Sequence, residues 1–347
     1  MNTMKPSRTV ILFSRENRHA PGGVELFNRN LRSLLDGYRV IHVQEASPDQ
    51  PTKAAYLHRL RGTIQAIREN PGAPVLVQYG SFLDVLAIAA LRPFSDNIYA
   101  IAHCSESWKH VTSPLMFAPT GQILKRGLRR LFVLAQNQAD VFAVARPHRI
   151  HTIIHPAYDA PAPARSERRG FVYVGRLVAE KGVLDLVDAW ALLHREGFRA
   201  PLDLYGTGDA AFLEELKAKI AALGLSEDIV LRGRLADPAA IAAAYDGAEG
   251  VVYPSYVDAF PLVILESFAR GTPCVITTVG EGPRFVDCPA LTVTPGDVPA
   301  IAQAVRAIAD RRIPAELIAD RQEKAREYAR GRIIDDLVAE GVLEKMA

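Results

Sequence analysis

Hydrophobic residues in the first half of the chain follow two alternating spacings. Short apolar runs, typical of buried strands, alternate with segments whose apolar residues recur every three or four positions, typical of helices. The predicted strands are 9–13, 38–43, 75–79, 98–103 and 140–145, and the predicted helices are 24–34, 56–69, 84–91 and 122–138. This alternation predicts an α/β domain with a parallel, doubly wound sheet.

The same alternation restarts after a stretch typical of a linker. Residues 155–170, HPAYDAPAPARSERRG, are rich in proline, alanine and charge. Further strands are predicted at 170–174, 202–205, 229–232, 250–253 and 273–277, and further helices at 182–194, 211–223, 238–245, 261–270 and 299–309, with two more within 321–346. We therefore expect one domain at 1–157, a second at 168–319, and C-terminal helices at 320–347.

Composition fits two globular domains. The chain has 347 residues, of which 49% are hydrophobic and 23% are charged, with a net charge of +2. This near-balance of charge argues against a nucleic-acid-binding protein, which usually carries a strongly basic face. The three cysteines show no CxxC spacing, and no apolar run is as long as a signal-peptide core or a membrane span. We expect a soluble cytoplasmic protein.

Two cations lie on the loop that follows the first strand of the second half. The loop 175–182 reads GRLVAEKG, with Gly175 at the turn out of the strand and Arg176 and Lys181 on the way into a helix. Two fixed cations at the carboxyl end of a strand, beside a helix N-terminus, suit a diphosphate. An ordinary surface loop with two solvated charges fits the spacing equally well.

A second candidate segment, SYVDAFPLVILESFARGTP at 255–273, contains a helix start. A proline in the first turn leaves the amides of Leu262 and Val263 available to an anion. Glu266 lies one turn further on the same side, where it could hold the two hydroxyls of a ribose. Asp258 precedes the helix and could contact a sugar beyond the phosphates. Alternatively, Glu266 is solvated and Asp258 caps the helix, but the apolar neighbours of Glu266 favour the functional role.

The order of these motifs resembles the retaining nucleotide-sugar glycosyltransferases of family 4, which have the GT-B fold. That family has a Gly-rich N-terminal loop, a His after an N-domain strand, a GRL-x-x-x-KG loop, and an E-x7-E element that runs into a G-T-P-V-type strand. The corresponding residues are Pro21-Gly22-Gly23, His103, 175–182, Asp258-x7-Glu266 and 271–275. The resemblance covers most of the chain and is strong from 171 to 297.

The resemblance implies two Rossmann-like doubly wound domains that face a central cleft, with the helices of 320–347 packed back towards the N-domain. It implies a hexosyltransferase-type enzyme that moves a sugar from a UDP- or GDP-linked donor to a glycan or lipid-linked acceptor with retention of configuration. Bacterial surface polysaccharide or glycolipid assembly is the family's usual setting. The nucleotide-sugar is then a co-substrate, and no other cofactor or metal is expected. The sequence also has no DxD motif or clustered metal-ligand set.

The resemblance also implies roles for residues of the second domain. Arg176 and Lys181 would neutralise the donor diphosphate and the charge that develops as the nucleotide leaves. Glu266 would hold the ribose, Asp258 would hold the donor sugar, and Gly233 would lie near the nucleobase. From the first domain, the Gly-rich loop would approach the diphosphate and the His would orient sugar hydroxyls. A lone His after a strand is also often a satisfied structural residue.

Two departures from the family pattern leave alternatives open. Asp258 replaces a glutamate and is one methylene shorter, and Arg284 replaces an acid in the loop that follows the 273–277 strand. A sugar-nucleotide epimerase, a phosphorylase or a catalytically silent nucleotide-sugar-binding scaffold would fit the same fold. Residues 123–132, ILKRGLRRLF, also predict a basic amphipathic helix. Its cations could contact anionic lipid headgroups at the inner face of a membrane, although a solvated helix face is the simpler interpretation.

Overall fold

The chain divides into two units, each with its own parallel sheet and hydrophobic core. One unit is Met1–Pro156 with Gly331–Ala347, and the other is Ala157–Arg330. The computed structural model describes residues 8–14, 23–43, 53–103, 114–143, 150–152, 167–235, 237–258, 260–329 and 332–345.

The first unit is built on a sheet whose strands alternate with helices along the chain. The strands are β1 (Thr9–Phe13), β2 (Arg39–His42), β3 (Val75–Tyr79), β4 (Ile98–Ala102), β5 (Arg130–Val133) and β6 (Ile150–Thr152). The helices before residue 150 are α1 (Gly23–Leu34), α2 (Lys53–Glu69), α3 (Phe82–Leu91), α4 (Pro114–Gly127) and α5 (Gln136–Ala143). The strands are parallel and run in the order β2-β1-β3-β4-β5-β6.

The prediction of one helix at 122–138 and a strand at 140–145 is wrong. The chain leaves α4 at Gly127, forms β5 beside β4, and is helical again in α5. A Cβ on Gly127 would lie 2.6 Å from Cγ2 of Ile88, so this glycine allows α4 to pack closely on α3. The buried run from Leu131 to Val133 then pairs with β4, and this tertiary pairing overrides the helical spacing of the segment.

The second unit repeats the architecture of the first. Its strands are β7 (Phe171–Val174), β8 (Leu202–Tyr205), β9 (Ile229–Gly233), β10 (Gly250–Tyr253), β11 (Cys274–Thr277) and β12 (Thr292–Val293). Its α-helices are α6 (Val183–Arg195), α7 (Ala210–Ala222), α8 (Pro238–Asp246), α9 (Leu262–Ala269), α10 (Gly282–Val286), α11 (Val298–Ala309) and α12 (Ala315–Ala329). Short 3-10 helices lie at Ala179–Lys181 and Pro289–Leu291.

The strand order of the second sheet reverses between β7 and β10. The order is β12-β11-β10-β7-β8-β9, so the chain builds outwards from β7 on one side and then from β10 on the other. In such sheets the loops at the carboxyl ends of the two strands diverge, and this is where ligands bind. The segments 175–182 and 254–261 leave β7 and β10 at this point.

The predicted α/β class and the two doubly wound sheets are confirmed. The structure adds β6, α10, β12 and the 3-10 helices Ala179–Lys181 and Pro289–Leu291, where the sequence predicted no element. The predicted terminal segment 320–347 is divided between the units. In α12, Gln322 donates to the carbonyl oxygen of Ala269 at 3.2 Å, within the second unit. Helix α13 (Arg332–Ala339) belongs to the first unit, where Arg130 pairs with Glu340 at 2.8 Å.

Helix starts in the second unit are of two kinds. Asp209, Asp237 and Asp297 cap α7, α8 and α11, and each accepts a hydrogen bond from a backbone amide of the first turn. The N-cap position of α9 is Pro261, which makes no side-chain cap hydrogen bond. The first amides of α9 therefore have neither an intrahelical acceptor nor a capping side chain from Pro261.

We predict that Gly182→Ala destabilises the protein far more than Gly224→Ala. Both glycines have a left-handed backbone, with φ of +67° and +68°, so alanine costs about 1–2 kcal/mol at either position. Only at Gly182 would the new Cβ also fall on a backbone atom, the carbonyl oxygen of Pro254. We expect a total loss of about 3 kcal/mol or more there. Urea denaturation followed by circular dichroism measures the free energy of unfolding of both variants. Equal losses of stability in the two variants would contradict the close approach of the two loops.

Candidate active site

Lys181 ties together the loops that leave β7 and β10. Its Nζ donates to the carbonyl oxygen of Val257 at 2.7 Å and to Oδ2 of Asp258 at 2.8 Å. The ammonium also lies 5.7 Å from the centre of the Tyr253 ring. The residue is buried, so the ion pair with Asp258 is largely shielded from water. The alternative of a solvated loop charge therefore does not describe Lys181.

Asp258 is held by a second donor as well as by Lys181. The hydroxyl of Tyr253 donates to Oδ2 of Asp258 at 2.9 Å, and the Tyr253 ring stacks on Tyr173 of β7 with 5.8 Å between ring centres. Burial and the neighbouring carboxylate of Asp258 raise the pKa of Tyr253 well above its ordinary value, so the phenol stays protonated and acts as a donor. Asp258 does not occupy the N-cap position of α9, which is Pro261.

Glu266 is a buried carboxylate, not a solvated one. It is 8% exposed, and its Oε2 accepts a hydrogen bond from the hydroxyl of Tyr245 at 3.0 Å. Burial and Glu266 raise the pKa of Tyr245 well above its ordinary value, which keeps this phenol a donor too. Glu266 lies one turn into α9, whose first residues are Leu262 and Val263. A carboxylate and a helix N-terminus are thus presented by the same short helix.

Arg176 lies on the same loop as Lys181 but is more exposed. Its guanidinium pairs with Glu180 at 2.7 Å, and both side chains are about half exposed. The backbone at this point is fixed by the hydroxyl of Tyr173, which donates to the carbonyl oxygen of Arg176 at 2.6 Å. A Cβ on Gly175 would lie 2.7 Å from that hydroxyl oxygen. Gly175 therefore keeps open the path by which Tyr173 reaches the loop.

Gly233 lies at the same edge of the second sheet, at the carboxyl end of β9. It is the last residue of β9, has a φ of +72°, and accepts a hydrogen bond from the amide of Gly206 at 2.9 Å. No atom of the residues that the structure describes lies within 4 Å of a Cβ built on Gly233. Because β9 is two strands from β7, Gly233 lies about 10 Å along the edge from the loop of Lys181.

Some residues of this region were missed by the sequence analysis. Tyr253 and Tyr245 orient the two carboxylates, and each hydroxyl reaches its partner only through the packing of the sheet and its helices. Gly206 and Gly208 lie so close to the loop of Lys181 that a Cβ would collide with the carbonyl oxygens of Gly175 and Leu177. Their spacing, two glycines directly after a predicted strand, was the one signal in the sequence that could have identified them.

The first unit holds the other predicted site residues. Gly22 lies outside the described residues, and Gly23 is the first residue of α1. His103 is 3% exposed, contacts Oε1 of Gln78 through Nε2, and packs edge-on against Phe27 with 4.7 Å between ring centres. Burial lowers its pKa to about 3. The imidazole is therefore buried, neutral and hydrogen-bonded, and its contact with sugar hydroxyls stays a prediction.

The predicted basic helix at 123–132 is wrong beyond Gly127. Lys125 and Arg126 are exposed at the end of α4, and Arg129 is exposed in the connection to β5. Arg130 is in the strand and pairs with Glu340. The cations therefore do not share one helical face. In the second unit, Arg284 is strongly exposed and lies 4.0 Å from Glu281.

Two features are absent from the described parts of the chain. No cluster of three or more His, Cys, Asp or Glu side chains is arranged to hold a metal ion. No described helix combines the length and the apolar character that crossing a membrane requires.

We predict that His103 makes the stability of the protein fall between pH 6.5 and pH 3. The unfolded chain takes up a proton at His103 near the ordinary pKa of 6.5, whereas the folded protein does so only near its pKa of about 3. Stability is therefore lost as the pH falls through this window, by about 2 kcal/mol at pH 5. Urea denaturation gives the free energy of unfolding of the parent and of His103→Gln. The stability of the parent relative to this variant should be lower at pH 5 than at pH 7 by this amount. A difference that does not change with pH would contradict the neutral, buried imidazole.

The comparison with protein families covers the second unit. Residues 168–311 match the family described as glycosyl transferases group 1. A lipopolysaccharide 1,6-galactosyltransferase of Salmonella typhimurium is 28% identical over 209 residues, which are 58% of this chain and 55% of that protein. A glycogen synthase of Mycobacterium tuberculosis is 34% identical over 173 residues, 46% of this chain and 40% of that protein. The chain thus spans about half the length of the curated relatives it matches.

Solved structures match almost the whole chain. HepE of Anabaena, in complex with UDP and glucose, superposes with a TM-score of 0.74 at 18% identity, over 96% of this chain and 98% of that chain. Sucrose-phosphate synthase of Thermosynechococcus elongatus gives 0.74 at 19% identity, over the same shares. At such identities the likeness shows the fold, and the expected GT-B class is confirmed. The resemblance seen in the motifs agrees with the family comparison, because residues 168–311 match the model of the glycosyl transferases group 1.

Proposed function

We propose that the protein transfers a sugar from a nucleotide-sugar donor to a glycan or lipid-linked acceptor, with retention of configuration. The observation that carries this proposal is the ion pair between the buried Lys181 and the partly buried Asp258, which lies at the strand reversal just before the start of α9. A cation, a helix N-terminus and two oriented carboxylates there provide the groups that a nucleoside diphosphate sugar requires.

The diphosphate is assigned to Lys181, Arg176 and the first amides of α9. Lys181 is fixed by two hydrogen bonds, so its charge needs little reorganisation when the negative charge of the leaving nucleotide develops. Arg176 is exposed and pairs with Glu180, and it would exchange this partner for a phosphate. The amides of Leu262 and Val263 add the positive end of the helix dipole.

The donor sugar and the ribose are assigned to the two carboxylates. The hydrogen bonds that Asp258 makes with described residues fall on Oδ2, so Oδ1 is the oxygen we assign to a hydroxyl of the donor sugar. Glu266 is oriented by Tyr245 and is assigned to the two hydroxyls of the ribose. The nucleobase would then lie towards Gly233, along the same edge of the sheet.

Retention follows if the acceptor attacks on the face from which the nucleotide leaves. The bond between the anomeric carbon and the phosphate oxygen breaks, and the acceptor oxygen bonds to the same face of that carbon. The acceptor proton passes to the departing phosphate oxygen. Lys181 and Arg176 stabilise the phosphate charge during this exchange, so neither a metal nor a protein nucleophile is required. His103, neutral at physiological pH, would enter only as a hydrogen-bonding group, not as an acid.

The comparisons support a sugar transferred to a cell-surface glycan. One solved relative is described in complex with UDP-glucose, and one sequence relative is named as a lipopolysaccharide galactosyltransferase. UDP-linked donors are therefore the first to test, followed by GDP-linked donors. We place the reaction in the assembly of a bacterial surface polysaccharide or glycolipid, on the cytoplasmic side of the membrane.

We predict that one nucleoside diphosphate raises the melting temperature of the parent protein and that Lys181→Gln weakens its binding tenfold or more. Hydrogen bonds to charged groups contribute about 1.5–3 kcal/mol, and selective binding to the folded state must stabilise it. The nucleotides to be tested are UDP, GDP, ADP, CMP and TDP. Glu266→Gln should weaken the binding of the same nucleotide as Lys181→Gln does. Lys219→Gln is the matched control, because Lys219 is paired with Asp188 at 2.7 Å elsewhere in the same unit. If no nucleotide stabilises the parent, the donor site is refuted.

We predict that the product keeps the anomeric configuration of the donor. The donor in this assay is a nucleotide-sugar that contains the nucleotide found to stabilise the protein. Proton NMR of the product distinguishes the two anomers through the coupling of the anomeric proton. An inverted product would refute the retaining mechanism while leaving sugar transfer intact. Turnover that needs inorganic phosphate would identify a phosphorylase instead, and conversion of the donor with no acceptor present would identify an epimerase.

A further inference from the structure

Helix α3 of the first unit is apolar on every side, yet one side faces solvent. Its sequence is FLDVLAIAAL, and its one polar residue, Asp84, is buried and accepts hydrogen bonds from the Gly80 and Ser81 amides and the Ser81 hydroxyl. On the outer side, Leu83 is 47% exposed and Leu86 is 43% exposed. A helix that is hydrophobic all round is normally buried, so we expect the outer side of α3 to bind another molecule.

Exposed apolar side chains also occur on the segments next to α3. Leu57 of α2 is 47% exposed, and Phe94, just after α3, is 39% exposed. The hydroxyl of Tyr56 donates to the carbonyl oxygen of Leu83 at 2.8 Å, which brings the start of α2 against α3. Only two other large hydrophobic side chains among the described residues are comparably exposed, and both are in the second unit. We call Leu57, Leu83, Leu86 and Phe94 the apolar face.

Exposed cations flank the apolar face. The Arg68 guanidinium lies 4.9 Å from the centre of the Phe94 ring, and Arg92 donates through Nε to the carbonyl oxygen of Arg126 at 2.9 Å. The second bond places the basic end of α4 beside the end of α3. Together the exposed cations of these segments form the basic rim, which consists of Arg61, Arg68, Arg92, Lys125, Arg126 and Arg129.

Acidic groups are scarce in the same segments. In the described residues from α2 to the start of β5, the exposed acids are Glu69 and Asp96, against six exposed cations. Asp96 is itself paired with Arg92. These segments therefore combine exposed apolar side chains with an excess of exposed positive charge. That combination is complementary to an anionic lipid bilayer, in which acyl chains contact the leucines and headgroup phosphates contact the cations.

We propose that this surface docks the protein onto an anionic lipid bilayer. With ten residues, α3 is about 15 Å long and cannot span a bilayer, so it would lie in the headgroup region with its outer side towards the acyl chains. The basic end of α4 contributes to the rim, while α3 supplies the apolar contact. The proposal does not depend on sugar transfer, and it is tested without an activity measurement.

The test is flotation with vesicles of phosphatidylcholine alone and of three parts phosphatidylcholine to one part phosphatidylglycerol. The parent should float with the mixed vesicles, less at high salt, and not with phosphatidylcholine alone. Lys125→Gln with Arg126→Gln should weaken binding about fivefold for each cation removed. Leu83→Gln with Leu86→Gln should weaken it at least tenfold. Leu223→Gln is the matched control, since Leu223 is a similarly exposed leucine of the second unit, and it should bind as the parent does.

Two results would overturn the proposal. One is failure of the parent to float with the mixed vesicles; the other is flotation of the double leucine variant at the parent level. Sedimentation equilibrium of the parent and of the double leucine variant then tests the alternative. If the parent is a dimer and the variant is a monomer, the apolar face is an interface between two copies of the chain. The substituted side chains are exposed, and circular dichroism confirms that each variant is folded. Nucleotide binding by the same variants should be unchanged, which keeps this test separate from that of the donor site.

Discussion

The ion pair between Lys181 and Asp258 is the interaction on which the candidate site depends. It joins two loops that are 77 residues apart in the chain and that leave neighbouring strands at the strand reversal. Partly burying two charges is costly unless each is hydrogen-bonded, and here Val257 and Tyr253 supply the additional bonds. The pair therefore holds a cation and a carboxylate in fixed positions before any ligand arrives, which is the arrangement that favours electrostatic catalysis.

The sequence predicted those parts of the site that short stretches of chain encode. The glycines and cations of 175–182, and the spacing of Asp258 and Glu266 around a helix start, depend on residues close together in the chain. Tyr253 and Tyr245 could not be found in this way, because their roles arise from the pairing of β10 beside β7 and from the approach of α8 to α9. The same limit explains the error after residue 122, since the pairing of β5 with β4 cannot be read from helical spacing.

The first unit illustrates a different limit. Periodicity marks α3 as an apolar element, but it does not reveal that one side of that element faces water. His103 is the reverse case: its position in the motif order predicts a contact with the sugar, but it does not reveal that the imidazole is buried against Gln78 and Phe27. In both cases the missing information is exposure, which depends on how neighbouring elements of the same unit pack around the residue.

The glycines around the candidate site limit how its loops can be redesigned. At Gly182, Gly206 and Gly208 the main chain of one loop rests directly on a carbonyl group of another, with no room for a methyl group. The backbones of these loops are therefore in direct contact, and substitutions that move one backbone would disturb the other. Libraries that vary loop length or glycine positions would mostly yield unfolded proteins. Variation is better concentrated on side chains that project from these loops, such as those beside Gly233, where no described residue crowds the backbone.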